Sequence, residues 1–444
     1  MKRCTVLTVL ALFFSLQVTG MAQERRLTLE ECVQIALEQN PELIMGEFTM
    51  KMAGKDVTIA MSSFLPQVSG QLGYYHSEIG PTLYQRIDPG TGIPVPALTG
   101  KTVAWGSYAG LSVSENIFDG GSSIFNMIQS RYLKKSADFS YEDQRQTTIY
   151  MVKERYYNLL ASEKLLEVAE ETLKSSEESY KKADVLFRVG KAPKSDVLKA
   201  RVQLETSRLG VIEAQNALSI ARASLNHVLG FDMDEKVQVV DNLNIPEVEV
   251  EYDMVMENAL SNHPYLKMSQ YNEKASKAGI GSSIGQFLPG LSVYFSYDWS
   301  HKDFSEIQYL FDRNYRWSSG VNLSIPLFSG FYRLASMNKS KLMFKSSQAA
   351  LEQAKRDIAL EAKQAYFDVQ QSKKKIAVSE NQVEAAEEDL RLNREKYNLG
   401  AGTMLDLIDA QVSLASAKSE NIQALYNYKF AIARLQKAMG SLNQ

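Results

Sequence analysis

The chain has 444 residues, of which 45% are hydrophobic and 23% charged, and a formal net charge of -3 at pH 7. That balance allows a sizeable core but leaves no basic footprint for nucleic acid. Four scattered histidines give no metal-ligand spacing, and no nucleophile–base pairing or phosphate loop occurs, so neither enzymatic activity nor a cofactor, metal or catalytic residue is expected.

Lys2 and Arg3 precede an uncharged run from Cys4 to Ala22 that closes on Gly20-Met21-Ala22, the layout of a secretory signal peptide over 1–22. Export is therefore expected. Cleavage near Ala22 removes Cys4 and leaves Cys32, which then cannot form an internal disulfide and reads as a small apolar residue on its helix. No later run reaches the ~18 apolar residues of a membrane-spanning helix. The periplasm, the exterior and an outer-membrane barrel stay open.

The rest of the chain repeats one plan twice. The first copy begins with Leu27-Thr28-Leu29-Glu30-Glu31 and a helix ending at Gln39-Asn40-Pro41; the second begins near Tyr252 with a helix ending at Asn262-His263-Pro264. Each is followed by a polar helix running to Phe64-Leu65-Pro66 or Phe287-Leu288-Pro289, an interval of 25 residues from proline to proline in both copies. Extended segments then close on Phe118-Asp119-Gly120 and Phe328-Ser329-Gly330, followed in both copies by 70 residues to Gly190 or Gly400 and 40 more to Gly230 or Gly440. The repeats are placed at 23–249 and 250–444, each with helices, a β-hairpin (67–118 and 290–328) and a helical hairpin (120–230 and 330–440). The copies differ by 13 extra residues within His76 to Thr102, a Pro/Gly-rich stretch that reads as a surface loop.

The extended segments alternate with period two. Leu291, Val293, Phe295, Tyr297 and Trp299 face one way against Ser292, Ser296, Asp298 and Ser300, and the stretch from Trp317 to Leu327 repeats the pattern. Weaker versions at Val68 to Tyr74 and Leu111 to Ser114 bring the count to four strands in two hairpins. Alternation alone suits a soluble sandwich equally well. The aromatic placement favours a membrane: Trp105, Trp299 and Trp317 mark the loop-side ends, and Phe64, Phe118, Phe287 and Phe328 the opposite ends. From Phe287 to Trp299 is roughly 40 Å along a strand, or about 30 Å of height at a barrel tilt, which suits two interfacial girdles. Four strands cannot close a barrel and lipid tolerates no open edge, so association through the strands is expected. Eight strands leave an interior filled by side chains and twelve leave room for an aqueous lumen, so a conduit favours a trimer or more.

Both long helical stretches carry a seven-residue ladder, Leu159, Leu166, Leu173, Tyr180 and Phe187 in one and Val369, Ile376, Val383, Leu390 and Tyr397 in the other, which predicts left-handed coiled-coil packing. Each stretch is roughly 100 Å long, and the returning helices are about 55 Å.

Phe-Leu-Pro before each hairpin, Phe-x-Gly after it, and the turns Gly190-(x)5-Asp196-Val197 and Gly400-(x)5-Asp406-Leu407 together resemble the TolC-like outer-membrane efflux protein family over essentially the whole chain beyond 22. The resemblance implies a membrane β-barrel joined to a long α-helical coiled-coil barrel, internally duplicated, with four strands per chain in a twelve-strand barrel shared by a homotrimer. It also implies an outer-membrane exit duct for efflux or type I secretion, extending into the periplasm toward a membrane-fusion adaptor and an inner-membrane pump. A soluble periplasmic scaffold or adaptor is the competing reading.

The family motif places a lumen-facing acidic pair at Asp406 and Asp409. Being three apart they share a helix face, and threefold symmetry would gather six carboxylates, a ring suited to attracting cations. Thr403 and Asp406 also have the spacing of a helix-start capping box, so ring and cap both stand. Asp196 has an acidic counterpart in the second copy, but Lys199 occupies the position equivalent to Asp409. Gly402 stands where some members carry a gate-locking arginine. Tyr397 matches a gate tyrosine and is also the last rung of its ladder.

Overall fold

In the computed structural model the described residues are 25–240 and 251–442. The expected signal segment 1–22 lies outside them. The first half comprises strand β1 (Arg25–Leu27), helices α1 (Leu29–Gln39) and α2 (Pro41–Ser62), strands β2 (Gln67–Ile79), β3 (Leu83–Ile87), β4 (Pro94–Leu98) and β5 (Thr102–Asp119), and helices α3 (Ser122–Arg188) and α4 (Lys194–Leu229). The second half comprises β6 (Val237–Val239), α5 (Tyr252–Asn262), α6 (Pro264–Gly285), β7 (Gly290–His301), β8 (Tyr315–Ser324), α7 (Tyr332–Asn398) and α8 (Met404–Ala438). Equivalent helices agree in length: 11 residues for α1 and α5, 22 for α2 and α6, 67 for α3 and α7, and 36 against 35 for α4 and α8.

Local chemistry sets these bounds. Thr28 and Glu31 form a capping box that starts α1, and Pro41 and Pro264 stand at the first positions of α2 and α6, where a missing N–H costs nothing. Neither glycine nor proline interrupts α3 or α7. The helices stop where a left-handed residue is needed: Gly190 and Gly400 both have φ of 75°.

The chain divides into two compact units, each drawing on both halves of the sequence. Among the described residues the first takes 25–44, 145–240, 251–256 and 362–442. Its core gathers Cys32, Val33, Ile149, Val152, Leu159, Leu225, Leu229 and Tyr426 around the parallel ribbon β1–β6. Tyr156 ties that ribbon down, its hydroxyl donating to Val240 O at 2.6 Å. Asn40 caps α2 by accepting from Leu43 N at 3.1 Å and also donates to Val228 O at 2.9 Å. The coiled-coil ladder is fully buried at Leu159, Val369 and Tyr397 and half-buried between them, while Phe187, past the last packed turn, is exposed.

The second unit takes Met45–Gln144 and Glu257–Glu361 and is built on an antiparallel sheet in the order β2-β5-β7-β8. The register puts Val68, Leu72, Leu111, Val113, Val293, Phe295, Val321 and Leu323 on one face. The other face is polar. Ser69, Ser112, Ser296 and Ser318 align in one row across all four strands, with hydroxyl pairs at 2.6 Å (Ser69–Ser112) and 2.9 Å (Ser296–Ser318). On the same face three tyrosine rings cover cross-strand glycines: Tyr75 over Gly106, Tyr108 over Gly73 and Tyr294 over Gly320. A Cβ at any of these glycines would collide with the ring, so the glycines are what let the aromatics lie flat on the strand.

Two expectations are corrected. The 76–102 stretch is more than a loop: β2 continues through Ile79, paired residue by residue with β5 as far as Thr102, and Leu83–Ile87 pairs with Pro94–Leu98 as a further small hairpin. Pro94 and Pro96 do not prevent this because the backbone bonds from Asp88 N to Ile93 O and from Thr99 N to Thr82 O put both prolines at positions whose nitrogens point away from β3. The second hairpin, conversely, ends early. β8 stops at Ser324 because Ile325-Pro326 withdraws a ladder donor.

Candidate functional site

The two helical turns come together in the first unit. Ala183 and Ala200, which flank the first turn, pack in one cluster with Tyr397, Met404, Leu407 and Ile408 of the second, and Tyr180, Leu186, Val197 and Leu390 close around them. Below the turns the hairpins are pinned by polar contacts. Ser176 meets Ser207 at 2.8 Å, Asn421 donates to Ser379 at 3.2 Å, and Gln411 donates to Ser175 Oγ at 2.7 Å and Ser179 Oγ at 2.9 Å. The Lys418 ammonium adds an ion pair to Glu171 at 2.9 Å.

The turns share one backbone. Lys191 N bonds Leu186 O at 2.8 Å and Ala401 N bonds Lys396 O at 2.9 Å, the long reverse bond of a glycine-terminated helix, with Gly190 and Gly400 in the left-handed conformation. The helices that follow start differently. Thr403 and Asp406 form a full capping box: Asp406 N donates to Thr403 Oγ1 at 3.1 Å, and Thr403 N and Oγ1 donate to Asp406 Oδ2 at 3.0 and 2.7 Å. Pro193 stands at the equivalent position of α4 and offers no side-chain cap. Gly402 is compact by necessity, since a Cβ there would come within 3.0 Å of Lys396 Cβ and 3.2 Å of Tyr397 N.

Electrostatics follow from this geometry. The bonds from Thr403, helped by the charges of Lys396 and Lys199, hold the Asp406 carboxyl below the usual carboxylate range. Asp406 and Asp409 are both exposed, one helical turn apart, and every capping bond uses Oδ2 alone. Tyr397 is buried, its phenol is pushed up by burial and by the charge of Asp196, its hydroxyl has no partner among the described residues, and Lys182 Nζ lies 5.7 Å from its ring. Asp196 is half-buried and Lys199 exposed. Lys182 and Met404 were not singled out by sequence; their roles depend on which helices meet, and no local pattern carries that.

At the sheet, Trp105 and Trp317 are exposed near the loop-side ends of β5 and β8, and Phe64, Phe118, Phe287 and Phe328 are exposed at or beyond the other ends. Trp299 departs from the expected girdle. It is 1% exposed, because the β7–β8 connection folds back over its face: Tyr297 Oη donates to Leu310 O at 2.9 Å and the Phe304 ring lies 6.5 Å from Tyr74.

The outer membrane efflux protein family matches this chain at residues 32–231 and again at 255–441. The chain belongs to the outer membrane efflux protein family. Among curated relatives, the alkaline protease secretion protein AprF of Pseudomonas aeruginosa is 26% identical over 329 residues, covering 71% of this chain and 67% of its own, and the outer membrane protein TolC of Vibrio cholerae is 20% identical over 421 residues, covering 94% and 91%. The crystal structure of the Campylobacter jejuni CmeC outer membrane channel superposes with a TM-score of 0.81 at 20% identity, over 93% of this chain and 85% of that one. This efflux protein is thus an outer-membrane export channel with a periplasmic helical tunnel, and the soluble scaffold reading falls away. Members of its family are channels that act with adaptors and pumps in tripartite systems. Among the described residues no helix is long and apolar enough to cross a membrane, and no cluster of side chains is suited to a metal ion.

Proposed function

We propose that the protein works as a homotrimer, a passive duct whose twelve-strand barrel is completed by pairing β2 of one copy with β8 of the next. The observation that carries this reading is the sheet itself, which has an apolar and a polar face and leaves β2 and β8 as unpaired edges. Lipid allows no such edges, and closure by three copies satisfies them while turning the serine and tyrosine face toward an aqueous lumen. Matching evidence comes from the helices. Leu198, Val202, Leu209 and Ile212 of α4, and Val378 and Leu392 of α7, are exposed at coiled-coil spacing, as expected of surfaces that meet a second copy. The adaptor and pump are then engaged from the periplasmic side, with outer-membrane lipid around the barrel.

The tip gate is assigned to the second turn. Asp406 and Asp409 from three copies form an acidic ring, with Tyr397 and the first turn, Gly190, Asp196 and Lys199, packed against it. Within a Debye length of about 8 Å such a ring controls a narrow pore and loses hold of a wide one. The test is conductance in planar bilayers. The purified protein conducts and divalent cations block it; Asp406→Asn with Asp409→Asn abolishes the block. Absence of any conductance would sink the duct, and an unaltered block would remove these two residues from the gate.

A further inference from the structure

The apolar face of the sheet carries a depression. Its floor is Gly70 on β2 and Ala109 on β5, small residues on a face otherwise lined by Val68, Leu72, Leu111 and Phe295. Leu72, Leu111, Phe295 and Tyr297 wall it, and Leu310 and Phe311 overhang it from the β7–β8 connection, outlining a cavity of 540 Å³. That volume lies within the roughly 300–1,000 Å³ of small-molecule sites. The overhang is held in place by the bond from Tyr297 Oη to Leu310 O and by the Phe311 ring, 5.6 Å from that of Tyr297.

The position of the cavity decides its occupant. A barrel strand turns its apolar face to the bilayer, where hydrocarbon chains are the available filler, and water is a poor one because these walls offer it few polar partners. We propose that the cavity holds one acyl chain of a lipid from the surrounding bilayer, clamped between the sheet and the 304–311 segment. The proposal rests on the sheet spanning the membrane, as in the preceding subsection.

Trp299 lies directly across from Ala109, which lines the cavity, and is 1% exposed, so it sits beside the cavity but not on its surface. Phe311, 76% exposed on the cavity rim, is covered by the bound acyl chain.

The experiment uses the full-length protein in phosphatidylcholine vesicles whose acyl chains are brominated, since bromine quenches tryptophan at short range and Trp299 is paired directly with the cavity residue Ala109. Trp105→Phe with Trp317→Phe leaves Trp299 as the reporter; Trp105→Phe with Trp299→Phe leaves Trp317, which is exposed on the same face outside the cavity. Trp299, closed to ordinary boundary lipid, is expected to lose emission severalfold in brominated vesicles. Gly70→Leu fills the floor without a clash, the nearest atom to a Cβ there being Gly110 O at 3.9 Å, and is expected to restore that emission while Trp317 stays quenched. Trp317 quenched with Trp299 unquenched would leave the membrane reading intact and overturn the lipid site. Equal quenching of Trp299 with and without Gly70→Leu would overturn the cavity as the place of contact. Quenching of neither tryptophan would overturn the membrane-spanning sheet and the site with it.

Discussion

Alanine at Gly120 and at Gly330 separates backbone strain from close packing, because the duplication puts these two glycines in equivalent places with unequal surroundings. Both are left-handed, with φ of 74° and 60°, so alanine costs each about 1–2 kcal/mol. At Gly330 nothing lies within 4 Å of a Cβ, and the strain is the whole cost. At Gly120 a Cβ would overlap the carbonyl oxygen of Gly285 and stand 2.9 Å from Gly285 C and Leu288 Cβ, where carbon atoms need about 3.5–4 Å. Two backbone segments must separate, which adds about 1–3 kcal/mol. At about 2–4 °C per kcal/mol for a unit of this size, Gly330→Ala lowers the melting temperature by about 2–8 °C and Gly120→Ala by about 4–20 °C. Thermal unfolding of the detergent-extracted variants, followed by circular dichroism, reads both. Equal shifts would refute the reasoning, since strain alone would then account for both sites.

The two turns yield three further outcomes. Thr403→Ala removes the cap of α8 and costs about 1 kcal/mol at that helix start, whereas Pro193→Ser supplies α4 with a cap and gains a similar amount; amide exchange at 404–407 and 194–197 should move in opposite directions. The Asp406 carboxyl is lowered in the folded chain, so its contribution is complete above the ordinary carboxylate range near pH ~4 and is lost as pH falls through the lower folded value. Protection of the first α8 turn is therefore flat from pH 8 to 5 and drops only in stronger acid; a loss between pH 7 and 5 would contradict the assignment. Tyr397→Phe deletes a buried hydroxyl that has no partner among the described residues and is expected to leave the melting temperature unchanged or raised. A clear drop would mean that the hydroxyl is bonded in the assembled protein.

How far the fold was legible follows from which signals are local. Gly190, Gly400, Pro41 and Pro264 each fix a backbone state at one position, so the helix bounds and the duplication could be read directly from their spacing. Period-two alternation located β7 and β8 because one face is apolar at every position of β7 and at all but Ser319 of β8. The 76–102 stretch misled because its prolines weaken strand propensity, while the effect of a proline depends on which way its nitrogen points in a ladder that the sequence does not display. Trp299 misled for a similar reason. Its position along the strand suits an interface, but its burial is decided by a connection that folds back from residues 304–311. The partners of Tyr397 come from other helices, Lys182 and Asp196 on the first hairpin, and only the tertiary packing brings them together.

The turns illustrate how duplicated elements can come to serve different ends. Their left-handed glycines and the reverse bonds from Lys191 N and Ala401 N match, and the second turn adds one bond from Gly402 N to Lys396 O, so the backbones are nearly equivalent. The difference lies in the employment of the aspartate. In the second turn Thr403 engages Asp406, and the carboxylate is committed to starting its own helix through one oxygen. In the first, Pro193 offers no reciprocal side chain, and the field of Asp196 instead reaches the buried phenol of Tyr397 in the neighbouring turn. One aspartate thus stiffens its own turn while the other acts across the seam. A rearrangement that slid the first hairpin away from the second would remove the charge of Asp196 from Tyr397 and leave the Asp406 cap intact, so the second turn would keep its shape while losing its neighbour. For the acidic tip proposed above, the expected consequence is that opening displaces the first hairpin and leaves the Asp406 cap intact.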